Sequence, residues 1–223
     1  IKTDDGALLT LQTGDTTITD GDVLGALQFQ APDDTDGGSG DADGTKVTAT
    51  ISAEADAAFD ANTNSTDLVF KLATDGDAAE KMRLTHEGDL ELKAADGAIL
   101  KLQTTSTDVT DGNVLGAVEF NAPLEAGGTD AITTAASIVA EADDTFAADN
   151  NETDLVFKLG VSEAATEKFR FAHEGDFDIR TDNRHIFFGD NGDVRISHIH
   201  DTGLAIKNTA TGDNSTILLK LQT

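Results

Sequence analysis

The chain has 223 residues, with 15 Lys and Arg against 42 Asp and Glu, a formal charge of −27. A basic face for nucleic acid or for an anionic membrane surface cannot be assembled from so few cations, so both partners are excluded. Cys, Trp and Tyr are absent, which removes disulfides, thiolate metal sites and most of the aromatic platforms that sugar-cleaving clefts use. Of the acids 31 are Asp, a residue that favours turns and caps, which places the charge excess in loops.

Taken in chain order, the sequence repeats itself. Leu9 and Leu11 alternate with Thr10, and the phrase returns at Leu100 and Leu102 and again at Leu219 and Leu221. Val23, Gly25, Leu27 and Phe29 share one face in a strand-like period, followed by Val47, Ala49 and Ile51, then Leu68, Phe70 and Leu72. Thr66 to Leu72 recurs unchanged at Thr153 to Leu159, and the stretch from Asp20 to Pro32 returns, little altered, from Asp111 to Pro123. The offset is 91 residues early in the unit and 87 later, so four residues are lost in the acidic glycine stretch 33–44. Length changes belong in surface loops, and that stretch reads as a solvated connection. His86-Glu87-Gly88-Asp89 and its copy His173-Glu174-Gly175-Asp176 read as hairpin turns with Gly at the positive-φ position. Residues 53–61, the best helix candidate, and their counterpart 140–146 are read as non-helical.

Residues from about 182 onward leave the pattern and read as three short strands with Gly-Asp and Asp-Gly turns. The expected organisation is a β repeat at 1–96, a second at 97–181, a small β module at 182–215 and the start of a third repeat at 216–223. A chain that starts at Ile1 inside a repeat is expected to be a piece of something longer. Leu, Ile, Val and Phe total 53 residues, near the level at which charged chains stay disordered. The apolar stripes are therefore expected to find cover on sister chains, with Leu9, Leu11, Phe29, Leu68, Phe70, Leu100, Leu102, Phe120, Leu155 and Phe157 forming an interchain core.

The phrases at 23–32, 66–72, 80–90 and 186–204 resemble repeats of tail-fibre and related appendage proteins of tailed bacteriophages, especially those of marine and cyanobacterial hosts. The resemblance covers most of the chain. It implies an all-β, elongated shaft, completed as a parallel homotrimer (a β-prism or an interwound triple β-helix), outside the virion and without enzymatic activity. Its implied partners are other copies of itself, other tail or capsid proteins, and the host surface. An extracellular adhesin that recognises glycans or protein through its loops is the alternative from a different class. A polysaccharide-cleaving enzyme is a third, for which no nucleophile motif or phosphate loop is present.

Three local features carry competing readings. His198 and His200 project from one face of a strand. At a three-fold axis three such pairs would surround a transition metal, as His-x-His pairs do in some phage fibres; otherwise they are two partly exposed histidines. Asp41 and Asp43, with Asp33, Asp34 and Asp36, could hold Ca²⁺, or form a solvated loop whose repeat copy lost the acids. Glu80, Lys81 and Arg83, repeated as Glu167, Lys168 and Arg170, either dock another protein or pair with acids across strands or between chains, where a pair adds roughly 0.2–1 kcal/mol.

Overall fold

The computed structural model describes residue 6 and residues 8–30, 46–74, 76–121, 133–161, 163–201 and 203–208. The chain divides into two compact units, Ile1–Leu100 and Lys101–Thr223. The first holds one antiparallel sheet of five consecutive strands: β1 (Val23–Gln30), β2 (Val47–Ala55), β3 (Thr66–Leu72), β4 (Ala79–Leu84) and β5 (Leu90–Leu92). The second unit repeats the arrangement with β6 (Val114–Asn121), β7 (Thr134–Ala142), β8 (Thr153–Leu159), β9 (Thr166–Phe171) and β10 (Phe177–Asp178). It also contains a three-stranded meander of β11 (His185–Phe188), β12 (Val194–Ile199) and β13 (Gly203–Asn208). No described residue is helical, and 53–55 continue β2 as strand, in keeping with the expected all-β class.

Register follows from the alternation of side chains across a pleated strand. Leu27, Ile51, Phe70, Met82 and Leu92 pair into one cross-strand row, and Gly25, Ala53, Leu68, Leu84 and Leu90 into the next. The opposite face carries Ala26, Ser52, Val69, Arg83 and Glu91. In the second repeat the matching rows are Gly116, Ala140, Leu155, Phe171 and Phe177, and on the reverse Ala117, Val139, Val156, Arg170 and Asp178. The turn from Thr85 to Asp89 joins β4 to β5 as expected, with Gly88 at φ +95°, a region closed to most side chains.

Two strand positions differ from the sequence reading. Leu24 is an extra residue in β1 and Thr48 an extra residue in β2, so the ladder shifts at both places. Each bulge reverses the faces beyond it. Val23 consequently stands opposite Glu54 and lines a hollow with Val47, Thr50 and Ser52, on the reverse side from Leu27 and Ile51.

Burial is inverted relative to polarity. Val69 and Val156 are completely enclosed at 0% exposure, among Ser52, Asp67 and Arg83 and their repeat counterparts. Leu68, one position from Val69, is 41% exposed, and Leu72 and Phe29, in a further row of the same face as Leu68, are 52% and 50% exposed. In both repeats the charged face is closed around its valine, while the apolar face is bare over its leucine and phenylalanine rows and buried only at its end, at Ala55 and Ala142.

The leucine-rich segments also depart from expectation. Residues 8–12 and 99–103 are not strands, and among the described residues their backbone groups join no ladder. The period of two is present, but a strand needs a neighbour, and the chain supplies none there. Leu11 instead lies against the apolar face at Gly25, where an added Cβ would stand 2.7 Å from its own Cβ. Leu102 meets Gly116 in the same way, again at 2.7 Å. The missing Cβ is what lets this segment approach the sheet.

In the meander, Ile186, Ile196 and Ile206 form one row. On the other face Ser197 is buried and its Oγ meets His185 Nδ1 at 2.8 Å. The three expected short strands are all present.

Val69→Ala and Val156→Ala each delete the centre of a closed face, and each is expected to cost about 2 kcal/mol of folding stability from lost burial and the cavity left behind. Equilibrium denaturation of the single and double variants checks this, including near-additivity, since the two sites lie in separate sheets.

Candidate functional site

The bare apolar face, with its rows of exposed leucine and phenylalanine, is available for recognition. All ten residues expected in an interchain core lie on it or along the two leucine segments. Phe29, Leu68, Leu155 and Phe120 are exposed, while Phe70 and Phe157 are half-buried by their row neighbours. Leu9, Leu11, Leu100 and Leu102 are exposed on residues 8–12 and 99–103. Leu9, Leu11, Leu27, Ile51 and Leu68 together line one shallow apolar hollow of the first unit.

Sequence reasoning missed part of this face. Phe157 stacks on Phe169 with ring centroids 4.6 Å apart and meets Phe171 edge-on at 6.0 Å. Phe177 packs against both, at 5.3 and 5.4 Å. In the first repeat Met82, Leu84 and Leu90 hold the corresponding rows. The period of two in Phe169 and Phe171 carried the signal, masked by the charged residues around them, Lys168 and Arg170.

The reverse face is an ion network. Asp67, 2% exposed, accepts a hydrogen bond from Arg83 Nη1 at 2.5 Å and another from the His86 amide at 3.0 Å. Burial pushes the Asp67 carboxyl up, but the His86 amide and the Arg83 guanidinium outweigh it and leave its pKa lowered. Arg83 also holds Glu80 through Nε at 2.8 Å and Nη2 at 2.7 Å, and Lys93 reaches the same carboxylate at 2.6 Å. Hydrogen bonds from Arg83 chiefly, against some burial and with help from Lys93, bring Glu80 down from 4.5 to about 2. Arg170, Asp154 and Glu167 reproduce the arrangement in the second repeat. The cations at 83 and 170 thus pair with acids within and across strands, one of the two readings their sequence allowed.

Each network continues into a histidine. His86 Nδ1 lies 3.3 Å from Asp56 Oδ2 and 3.4 Å from Asp67 Oδ1, with its Nε2 2.9 Å from Glu87 Oε1. His173 Nδ1 lies 3.3 Å from Asp143 Oδ2 and 3.5 Å from Asp154 Oδ1, with Nε2 3.2 Å from Glu174 Oε1 and 3.5 Å from Glu152 Oε2. Desolvation works against charge on His173, and the surrounding carboxylates, Glu174 and Glu152 foremost, overcome it and raise its pKa. These clusters hold the nitrogen and oxygen atoms able to take a metal among the described residues. Sequence reasoning treated His86 and His173 only as turn residues.

His198 and His200 are brought together, as expected of alternate positions. Asp182 spans them, 3.2 Å from His198 Nδ1 and 2.8 Å from His200 Nδ1, and both rings are well exposed. Asn183, at φ 59°, accepts the His200 amide and fixes that corner. Asp41 and Asp43, with the acids before them, lie outside the described residues.

No protein-family model matches the chain, and no curated protein matches it in sequence. Among solved structures it is similar to the carboxy-terminal domain of the bacteriophage T5 L-shaped tail fibre, at 12% identity and a TM-score of 0.34, covering 98% of each chain. It is also similar to the same domain with its intramolecular chaperone, at 12% identity and a TM-score of 0.32, covering 100% of this chain and 71% of the other. At these scores the likenesses carry no argument about this chain.

Because Glu80 is lowered from 4.5 to about 2 in the folded chain, its contribution is present above the unfolded value and lost as pH falls through the interval between them. Acid titration of folding stability is expected to show this loss between pH 4.5 and 2. Glu80→Gln with Glu167→Gln should lower stability at neutral pH and flatten the acid limb; an unchanged limb would remove these two groups as its source.

Proposed function

We propose that this chain is a non-enzymatic shaft segment of a homotrimeric fibre on a tailed-phage particle. Its role is to space a host-binding tip or decoration from the virion, outside the cell. The observation that carries the reading is the bare apolar face, present twice on sheets whose reverse faces are closed by their own charged residues. A face of that kind on a lone soluble chain is an aggregation hazard unless a defined partner covers it. A sister chain is the partner whose complement is already available: it brings the same leucine and phenylalanine rows, once in each repeat.

The segments 8–12 and 99–103 support the same reading. Their alternating leucines and backbone groups outside any ladder suit a strand completed by neighbouring copies. Three chains together would treble a charge of −27. Such a bundle would be favoured in salty water, where the Debye length is about 3–8 Å, consistent with a marine or hypersaline setting. A three-fold assembly is also what the metal reading of His198 and His200 requires, since only there would three such pairs converge. Attachment partners would be other tail or capsid proteins and, through the tip, the host surface.

Sedimentation equilibrium of the purified chain tests the proposal. The expected mass is three times the 23.2 kDa of one chain, and Leu68→Asp with Leu155→Asp should shift it to single chains. A folded monomer would overturn the proposal. Saturable glycan binding by such a monomer would favour the adhesin reading instead.

A further inference from the structure

We propose that each repeat carries a transition-metal site, formed by Asp56, Asp67 and His86 in the first and by Asp143, Asp154 and His173 in the second. The proposal does not depend on how the chain assembles. It rests on three observations.

The first is spacing. In both repeats the imidazole Nδ1 stands 3.3 Å from one aspartate oxygen and 3.4 or 3.5 Å from another. These separations are long for an N–H···O hydrogen bond, which centres near 2.9–3.0 Å. They match the edge of a tetrahedron whose centre lies about 2.0–2.1 Å from each ligand, roughly 3.3–3.4 Å. The three ligand atoms of each set lie within 4.8 Å of one another.

The second is the far side of each ring. His86 Nε2 faces Glu87 Oε1 at 2.9 Å, and His173 Nε2 faces Glu174 Oε1 at 3.2 Å. A carboxylate on that nitrogen can keep its proton when a metal displaces the proton from Nδ1, which is the usual support for a metal-bound imidazole. Asp67 and Asp154 are themselves oriented by the Arg83 and Arg170 guanidinium groups on their second oxygens.

The third is repetition. Between the two aspartates of each set, six of the ten intervening residues differ between 57–66 and 144–153. The aspartates, the histidine and the glutamate after it are the same in both repeats. The donors stand in the unchanged stretches 53–56, 66–72 and 86–89, so both repeats keep the same set across an altered loop.

The donors also select the ion. Ca²⁺ and Mg²⁺ take oxygen shells, so an imidazole ligand points away from them, and one nitrogen with two carboxylates and a water suits tetrahedral Zn²⁺. The two carboxylate ligands neutralise the dication.

Isothermal titration of the full chain with ZnCl₂ tests the proposal, in a His198→Ala/His200→Ala background so that the exposed pair on Asp182 adds nothing. Two ions per chain are expected. One should remain in His86→Ala, and none in His86→Ala/His173→Ala or in Asp56→Ala/Asp143→Ala, whose circular dichroism would report retained folding. Glu87→Gln with Glu174→Gln should keep the stoichiometry and weaken affinity about 10–100-fold. No saturable binding by the parent, or binding that survives loss of both histidines, would overturn the assignment.

Discussion

A sheet has two faces, and each repeat of this chain closes only one of them. Closure of the reverse face depends on a buried carboxylate, Asp67 or Asp154, held by an arginine from the next strand and by a backbone amide from the following turn. Taking these charges out of water is costly, and a carboxylate left without its arginine would be strongly destabilising. A donor on each of the two carboxylate oxygens offsets that cost, and Val69 and Val156 lie enclosed on the same face, each paired across the ladder with the arginine. The strands that carry the ions necessarily turn their leucines and phenylalanines the other way.

If sister chains cover the apolar face, that geometry ties stability to assembly. A small sheet with one closed face has little apolar burial to set against the ordering of its chain. Covering the second face would add the burial of its leucine and phenylalanine rows. The glycines at 25 and 116 belong to the same design: they admit the leucine segments against the face, so that the sheet and its unladdered flank present one apolar surface.

Much of the fold was legible because repetition and a period of two coincide. The strands around Leu68 and Leu155, the turns at Gly88 and Gly175, and the meander after residue 184 are all found where alternation and glycine placed them. The bulges at Leu24 and Thr48 were not legible, since one extra residue leaves the composition of a strand unchanged while exchanging its faces. Residues 8–12 have a strand's alternation without a strand's neighbour, and alternation alone cannot supply one. The bare face followed from too few large hydrophobes for a lone core, although the choice of the charged face for closure did not. The histidine clusters were hidden for another reason. Asp56, Asp67 and His86 come from the end of β2, the start of β3 and the turn after β4, and only the sheet brings them together. His198 and His200 were readable as neighbours on one face; Asp182, from outside the strand, was not.

The most direct measurement is hydroxyl-radical footprinting of the chain in solution, read by mass spectrometry at the phenylalanines and leucines of the bare face. If sister chains cover that face, Phe70, Phe157, Phe169, Phe171 and Leu68 will label far more slowly than their exposure in a single chain dictates, and dissociation by Leu155→Asp will restore fast labelling. Labelling at the rate of open side chains in the folded parent protein would contradict it, and the apolar face would then be solvent's alone.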